Sequence, residues 1–137
     1  MQQDTKRFVV PRGLTDKGQI WEALQLIASI NVQNDKPSDV ILFISTKDQL
    51  NGTIIDATLG ERVCKALKKG ERVSLSDGSF LTCETKRTFK RYMSAKVVLC
   101  VFPDKDMLKA LDSVRNLKVA VVVPWHMEEV SEWIRAW

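Results

Sequence analysis

Short runs rich in apolar residues alternate with amphipathic stretches along the chain. The runs cover residues 8–10, 40–44, 73–75, 97–102 and 119–123. Between them, apolar residues recur three or four positions apart, as Ile20, Leu24 and Ile27 do. Short apolar runs are typical of buried strands, and the longer spacing is typical of helices that bury one face. The pattern therefore predicts alternating strands and helices in an α/β fold.

The polarity of the runs predicts where each strand lies in the sheet. Residues 40–44, 97–102 and 119–123 include no polar side chain, as in parallel strands covered by helices on both faces. Ser74 interrupts the third run, which we therefore expect at a sheet edge. The Rossmann-like order 3-2-1-4-5 places the third strand there, whereas the flavodoxin-like order 2-1-3-4-5 would bury it. The sequence thus predicts one domain, residues 1–137, folded as a three-layer Rossmann-like sandwich of about five mostly parallel strands.

The segment after Asp77 has two interpretations. Asp77 and Gly78 between two serines are a strong signal for a tight hairpin turn, which would make residues 80–83 a returning strand. However, Leu81, Thr85 and Phe89 also recur at helical spacing. We favour a helix over residues 81–94 because it preserves the alternation of strands and helices.

Capping patterns predict where the first two helices begin and end. Asp16 with Gln19, and Thr58 with Glu61, have the spacing of a capping box at a helix N-terminus. Gly70 is suited to end the second helix, because glycine readily adopts the left-handed conformation found there.

The last strand and helix suggest an interaction surface. A fully apolar strand fits a sheet edge poorly, and the predicted order places residues 119–123 at an edge. Trp133 and Trp137 add a large aromatic surface to the helix that follows. A second copy of the chain, or residues beyond Trp137 in a longer parent chain, would cover this region. A protein-interaction or oligomerisation module is therefore an alternative function.

Composition narrows the class of protein. The chain has 137 residues, a net charge of +4 and three cysteines, Cys64, Cys83 and Cys100, without a CxxC pair. These features predict neither a disulfide-stabilised secreted domain nor a zinc site. The polar N-terminus lacks the apolar run of a signal peptide, and the apolar runs are too short to span a membrane. We expect a cytoplasmic protein with no membrane association.

Motifs for catalysis are absent from the sequence. There is no GxGxxG, GxxxxGK[ST] or GxSxG, and His126 is the only histidine. We therefore expect no catalytic residues, no metal ligands and no identifiable cofactor, and a binding domain rather than an enzyme. A hydrolase or transferase using the carboxylates of Asp48, Asp104 and Asp106 is the weakest alternative.

Polar residues directly after the predicted strands suggest a ligand site. In open α/β sheets, ligands bind outside the carboxyl ends of the strands, where helix N-termini favour anions. We expect a small anionic or nucleotide-like ligand over the first and fourth strands, which are neighbours in the predicted order. The candidate ligand-binding residues are Arg12, Gly13, Thr46, Lys47, Asp104, Lys105 and His126.

A basic segment is a second candidate for binding, to nucleic acid. Lys86, Arg87, Lys90 and Arg91 are the densest cluster of charge in the chain. On a helix, their like-charge repulsion would nearly cancel their favourable interaction with the helix dipole, so the cluster needs no function. We expect that any nucleic-acid binding is weak and unspecific, while Phe89 and Tyr92 face the core.

Overall fold

Strands and helices alternate along most of the chain. The computed structural model describes residues 5–12, 18–33, 36–51, 54–90 and 93–135. The strands are β1 (Lys6–Val9), β2 (Val40–Ile44), β3 (Val73–Ser74), β4 (Phe80–Thr85), β5 (Val97–Val101) and β6 (Val119–Val123). The helices are α1 (Gln19–Val32), α2 (Ile54–Leu59), α3 (Glu61–Lys68), α4 (Lys105–Asp112) and α5 (Ser131–Arg135), with 3-10 helices at Lys47–Leu50 and Met127–Val130. Within these ranges, no helix has both the length and the apolar character needed to cross a membrane.

The strands form one mixed sheet in the order β1-β6-β5-β2-β4-β3. All neighbouring pairs are parallel except β3 with β4, which is antiparallel. Successive side chains of β2 point to opposite faces: Leu42 packs with α1, α2 and α3, whereas Phe43 packs with α4 and α5. The sheet therefore lies between two layers of helices, which confirms the predicted α/β fold.

The strand order differs from the predicted one. β1 lies at an edge of the sheet and pairs only with β6, which in turn lies between β1 and β5. The burial of the strands explains this, because every residue of β6 is buried whereas β1 is exposed or half-buried throughout. An apolar strand such as β6 gains most from neighbours on both sides.

This order removes the structural reason to expect a partner at the last strand. β6 has no free edge, and Trp133 of α5 is 7% exposed within its own chain. Trp137, the other aromatic residue in that argument, lies outside the described residues.

The segment after Asp77 forms a hairpin, so the helix predicted over residues 81–94 is wrong. β3 is at the sheet edge, as predicted, and pairs with the returning strand β4. Gly78 has a φ of 90°, and Asp77 Oδ1 accepts a hydrogen bond from the backbone N–H of Ser79 at 2.9 Å. The turn at Asp77 and Gly78 therefore determines the conformation of this segment, although its apolar residues recur at helical spacing. Several of these residues pack in the sheet instead.

Helix boundaries follow the glycines more closely than the predicted capping boxes. Gly60, with a φ of 93°, separates α2 from α3. Thr58 Oγ1 donates to the carbonyl of Ile54 within α2, so its predicted box with Glu61 does not form. Gly70 ends α3 as predicted, with a φ of 80°. Asp16 lies outside the described residues, and the side chain of Gln19 has a different role, described below.

Candidate functional site

The carboxyl ends of the parallel strands lie along one edge of the sheet. In sheet order, β1, β6, β5, β2 and β4 are followed by Val10, Pro124, Phe102, Ser45 and Lys86. The chain leaves β1 and β2 toward helices on one face, and leaves β5 and β6 toward helices on the other. Crevices in α/β sheets open between neighbouring strands whose connections leave for opposite faces. Such pairs here include β1 with β6, and β5 with β2.

Arg12 and Trp125 form a cation–π pair where β1 and β6 end. The guanidinium carbon of Arg12 lies 4.6 Å from the centroid of the Trp125 ring. Trp125 meets Phe102 edge-on, with ring centroids 5.1 Å apart, and stays 40% exposed. Arg12 is itself exposed, and the N–H groups of a guanidinium match the oxygens of a carboxylate or phosphate. The pair is therefore an exposed, oriented donor for an anion.

Gln19 joins the ends of β1 and β6. Its buried side-chain amide donates to the carbonyl oxygens of Val10 and Pro124, each at 3.0 Å. Both carbonyls belong to the residue that directly follows its strand, so one side chain fixes the spacing of the two strand ends.

The structure separates the predicted ligand-binding residues into two groups. Arg12 and His126 lie where β1 and β6 end, whereas Thr46 and Asp104 lie where β2 and β5 end. β1 and β2 are three strand positions apart, which corresponds to roughly 14 Å. The predicted site over the first and fourth strands as neighbours is therefore wrong in its geometry, because β6 lies between β1 and β5. Gly13 lies outside the described residues.

Two of the predicted residues make contacts within the protein. Lys47 Nζ donates to the carbonyl of Lys68 at the end of α3, at 2.8 Å. The backbone N–H of His126 donates to the Glu129 carboxylate at 2.7 Å, which fixes the start of the second 3-10 helix. Lys47 is therefore directed toward the end of a helix, whose partial negative charge favours a cation.

Asp104 caps α4 and pairs with a lysine. Its Oδ1 accepts from the backbone N–H of Met107 at 2.9 Å, and its Oδ2 accepts from Lys86 Nζ at 2.5 Å. Desolvation pushes the pKa of Asp104 up, but the hydrogen bonds from Lys86 and Met107 outweigh it, so its pKa lies below the usual value. Both carboxylate oxygens thus have structural partners. Lys105 and Asp106 follow it as exposed residues in the first turn of α4.

The basic segment is a turn and not a helix in the part that the structure describes. Lys86, Arg87 and Lys90 are exposed after β4, while Arg91 and Tyr92 lie outside the described residues. Phe89 is buried and stacks on Phe43, with ring centroids 3.9 Å apart, so its predicted inward orientation is confirmed. The Phe89 contact anchors the turn on the sheet and leaves the basic side chains in solvent.

A cleft of about 540 Å³ lies between α4 and the C-terminal segment. Leu108 and Trp133 form part of its apolar lining, and Trp133 Nε1 donates to Asp112 at 2.8 Å. The charged residues that line it are Asp104, Asp112, Glu128, Glu129, Glu132, Lys105 and Lys109. Asp104 and Asp112 are paired with Lys86 and Arg7, and the three glutamates still outnumber the two lysines. The cleft therefore does not favour an anion, although two predicted ligand-binding residues line it.

The cysteines and carboxylates do not form a reactive centre in the described ranges. Burial raises the pKa of the Cys83 thiol to about 11 and also raises the pKa values of Cys64 and Cys100. Such thiols are mostly protonated at neutral pH and are poor nucleophiles. Among the described residues, no three histidine, cysteine, aspartate or glutamate side chains are grouped so as to hold a metal ion.

In comparisons with known proteins, no protein-family model, curated protein or solved structure matches the chain.

The sequence places Arg12 and Trp125 after strands at this edge but predicts neither their contact nor the role of Gln19. Trp125 follows β6 after a single proline, which is the same kind of strand-end position that identifies Arg12. Gln19 has the spacing of a capping residue, and nothing in the sequence indicates that it reaches a strand end. Both omissions have one cause, since the sequence does not specify that β1 and β6 are neighbours.

Proposed function

We propose that this domain binds a small or nucleotide-like ligand through a phosphate or carboxylate group, at the ends of β1 and β6. Arg12 on the face of Trp125 is the observation that carries the proposal. Arginine presents a planar fork of donors that matches the oxygens of a carboxylate or phosphate. Stacking on tryptophan orients that fork before the ligand arrives, which lowers the entropy lost on binding.

Three other cations at this edge differ from Arg12, because each has a partner or lies beside carboxylates. Lys86 is paired with Asp104, and Lys47 is bound to the carbonyl of Lys68. Lys105 lines the acidic cleft, where carboxylates do not favour an anion. Within the described residues, Arg12 forms no ion pair, and its exposed guanidinium is accessible to an anion.

The rigidity of the strand ends also favours a binding site. The two hydrogen bonds from Gln19 hold the backbone on either side of the Arg12–Trp125 pair. A site on fixed strand ends loses less conformational freedom on binding than one on an unsupported loop.

We propose binding without catalysis. A catalytic site normally combines an acid or base with a second group of displaced pKa in the same cleft. At this edge, Asp104 has a lowered pKa and serves as a helix cap, with its two carboxylate oxygens bonded to Met107 and Lys86. This structural use of the carboxylate supports a binding role.

A fluorescence titration tests the proposal. Tryptophan emission is followed while phosphate, pyrophosphate, AMP and citrate are added separately to the wild-type protein, and Trp125→Phe assigns the signal to Trp125. We expect saturable binding of at least one of these anions. Arg12→Ala should weaken it by about tenfold or more, which corresponds to loss of a charged hydrogen bond. Arg12→Lys should fall between the two, because it keeps the charge and loses the fork.

Lys105→Ala is the matched control, since it removes a cation of the same edge that lies outside the proposed site. It should leave the affinity within about twofold of wild type, as expected for an exposed charge. Absence of saturable binding for all four anions, or equal affinity in wild type and Arg12→Ala, would overturn the proposal.

A further inference from the structure

A separate cavity lies at the other end of the sheet, between α1 and the β3–β4 hairpin. It has a volume of about 260 Å³ and is called the α1–hairpin cavity below. Its base is formed by Val40 and Leu81, which pair with each other near the starts of β2 and β4. Ile27 of α1, Val63 of α3 and Leu75 beside β3 form apolar walls. The cavity is therefore distinct from the Arg12–Trp125 pair, which lies at the carboxyl ends of the strands.

The elements around the cavity differ in length. α1 extends along one side for 14 residues, whereas β3 on the opposite side has only two. Val73 of this short strand and Leu75 beside it are both partly buried and leave the space unfilled. An unfilled apolar cavity lacks the dispersion contacts of a packed core, and an apolar molecule that enters it supplies them.

Polar groups occupy one part of the cavity wall. Asn31 is 1% exposed and donates to Asp77 Oδ2 and to the carbonyl of Ser38, each at 3.2 Å. Asp77 also accepts from the backbone N–H and the hydroxyl of Ser79. Desolvation opposes ionisation of Asp77, but these hydrogen bonds outweigh it and its pKa lies below the usual value. The wall thus carries a fixed negative charge at neutral pH.

We propose that the α1–hairpin cavity binds a small hydrophobic amine, with its hydrocarbon part among the apolar walls and its ammonium group at Asp77. The volume sets the size of the ligand: an engineered cavity of about 150 Å³ holds benzene, so this one holds about ten non-hydrogen atoms. The carboxylate sets the head group, because an ammonium group brought into a largely apolar site needs an opposite charge. Phenethylamine has the required size and charge.

The test compares phenethylamine with propylbenzene, which has the same size and no charge. Methyl resonances of the wild-type protein are followed by NMR while each compound is added, and the dissociation constants are taken from the shifts. We expect shifts centred on the methyl groups of Ile27, Val63 and Leu75. Phenethylamine should bind about tenfold or more tightly than propylbenzene, as expected for a charge-assisted hydrogen bond.

Two variants separate the roles of charge and space. Asp77→Asn keeps an acceptor for Ser79 but loses the acceptor for Asn31. It should remove the preference for the amine while propylbenzene still binds. Val63→Phe should fill the cavity and weaken both compounds, and its circular dichroism spectrum shows whether it is folded. Shifts confined to other parts of the protein, or equal affinity of the two compounds for wild type, would overturn the proposal whatever the behaviour of the variants.

Discussion

Lys86 and Asp104 form an ion pair across the end of β2. Lys86 follows β4 and Asp104 precedes α4, so the pair joins segments on either side of the central strand. The sequence predicts these residues in two different surfaces, one for nucleic acid and one for a small anion. Their pairing neutralises one charge in each of these two predicted surfaces. Arg12 then remains as the best-oriented donor at this edge of the sheet.

Two substitutions of Asp104 should separate the contribution of its ion pair to stability from the contribution of its helix cap. Asp104→Asn keeps an acceptor for Met107 and loses the ion pair, so we expect a loss of about 0.2–1 kcal/mol in the free energy of unfolding at pH 7. The side chain is 47% exposed, which limits the electrostatic contribution. Asp104→Ala also loses the cap and should cost about 1 kcal/mol more. Urea denaturation measures both, and equal stability of the two variants would contradict the capping role.

The stabilisation from Asp104 should depend on pH in a defined direction. Its pKa is lowered in the folded protein, so folding favours the ionised carboxylate. This contribution is fully present above the ordinary carboxyl pKa of about 4 and disappears as the pH falls through the lowered value. The difference in unfolding free energy between wild type and Asp104→Asn should therefore shrink below about pH 4. A difference that grows under acid conditions would contradict this assignment.

Gln19→Ala should destabilise the fold through the strand ends. It removes both donors to Val10 and Pro124, and buried acceptors left without donors cost about 1–3 kcal/mol. Gln25→Ala, at an exposed position of the same helix, is the matched control. Thermal and urea denaturation of the two variants should differ by at least about 1 kcal/mol. Equal stabilities would show that Gln19 is not a structural link between β1 and β6.

Gly78→Ala tests the hairpin that replaces the predicted helix. Gly78 has a φ of 90°, which is unfavourable for a residue with a side chain, although a Cβ atom would meet no neighbour there. We expect a loss of about 1 kcal/mol or more, arising from backbone strain alone. A stability that is unchanged or increased in Gly78→Ala would contradict the left-handed turn on which the hairpin depends.

Any binding of the basic turn to nucleic acid should have a shallow salt dependence. Four phosphate contacts would give a log–log slope of about −3 to −4. Because Lys86 is paired with Asp104, we expect three contacts at most and a slope of about −2 to −3. Fluorescence anisotropy of labelled DNA at several salt concentrations gives the slope. A slope of about −4, or a slope that is the same in the double variant Arg87→Ala/Lys90→Ala as in wild type, would place the phosphate contacts elsewhere.

The sequence predicts the elements of this fold better than their arrangement. Apolar runs identify the strands, because a strand covered on both faces of the sheet needs apolar side chains on both faces. Ser74 correctly marks β3 as the edge strand. The strand order depends on which strands cover one another in three dimensions. The apolar character of residues 119–123 indicates an interior strand, but the sequence does not name β1 as the neighbour that covers it.

The candidate site is predictable to the same extent. Arg12 follows a strand, and strand ends are where ligands bind in α/β sheets, so its position suffices to identify it. Its contact with Trp125 exists only because β1 and β6 are neighbours in the sheet. These segments are far apart in the sequence: Gln19 and Pro124, which are joined by a hydrogen bond there, are 105 positions apart. Long-range pairs of this kind leave no local pattern in a single sequence.

The Arg12 side chain itself gives the most direct test of the proposed function. The Nε–H resonance of Arg12 is assigned by its loss in Arg12→Lys, and is then followed by NMR as phosphate or AMP is added at constant ionic strength. The account predicts a saturable shift of this resonance, together with the ring resonances of Trp125, and no comparable shift at Arg87. An Arg12 resonance that stays unchanged, or that moves only in step with Arg87, would contradict anion binding at this site.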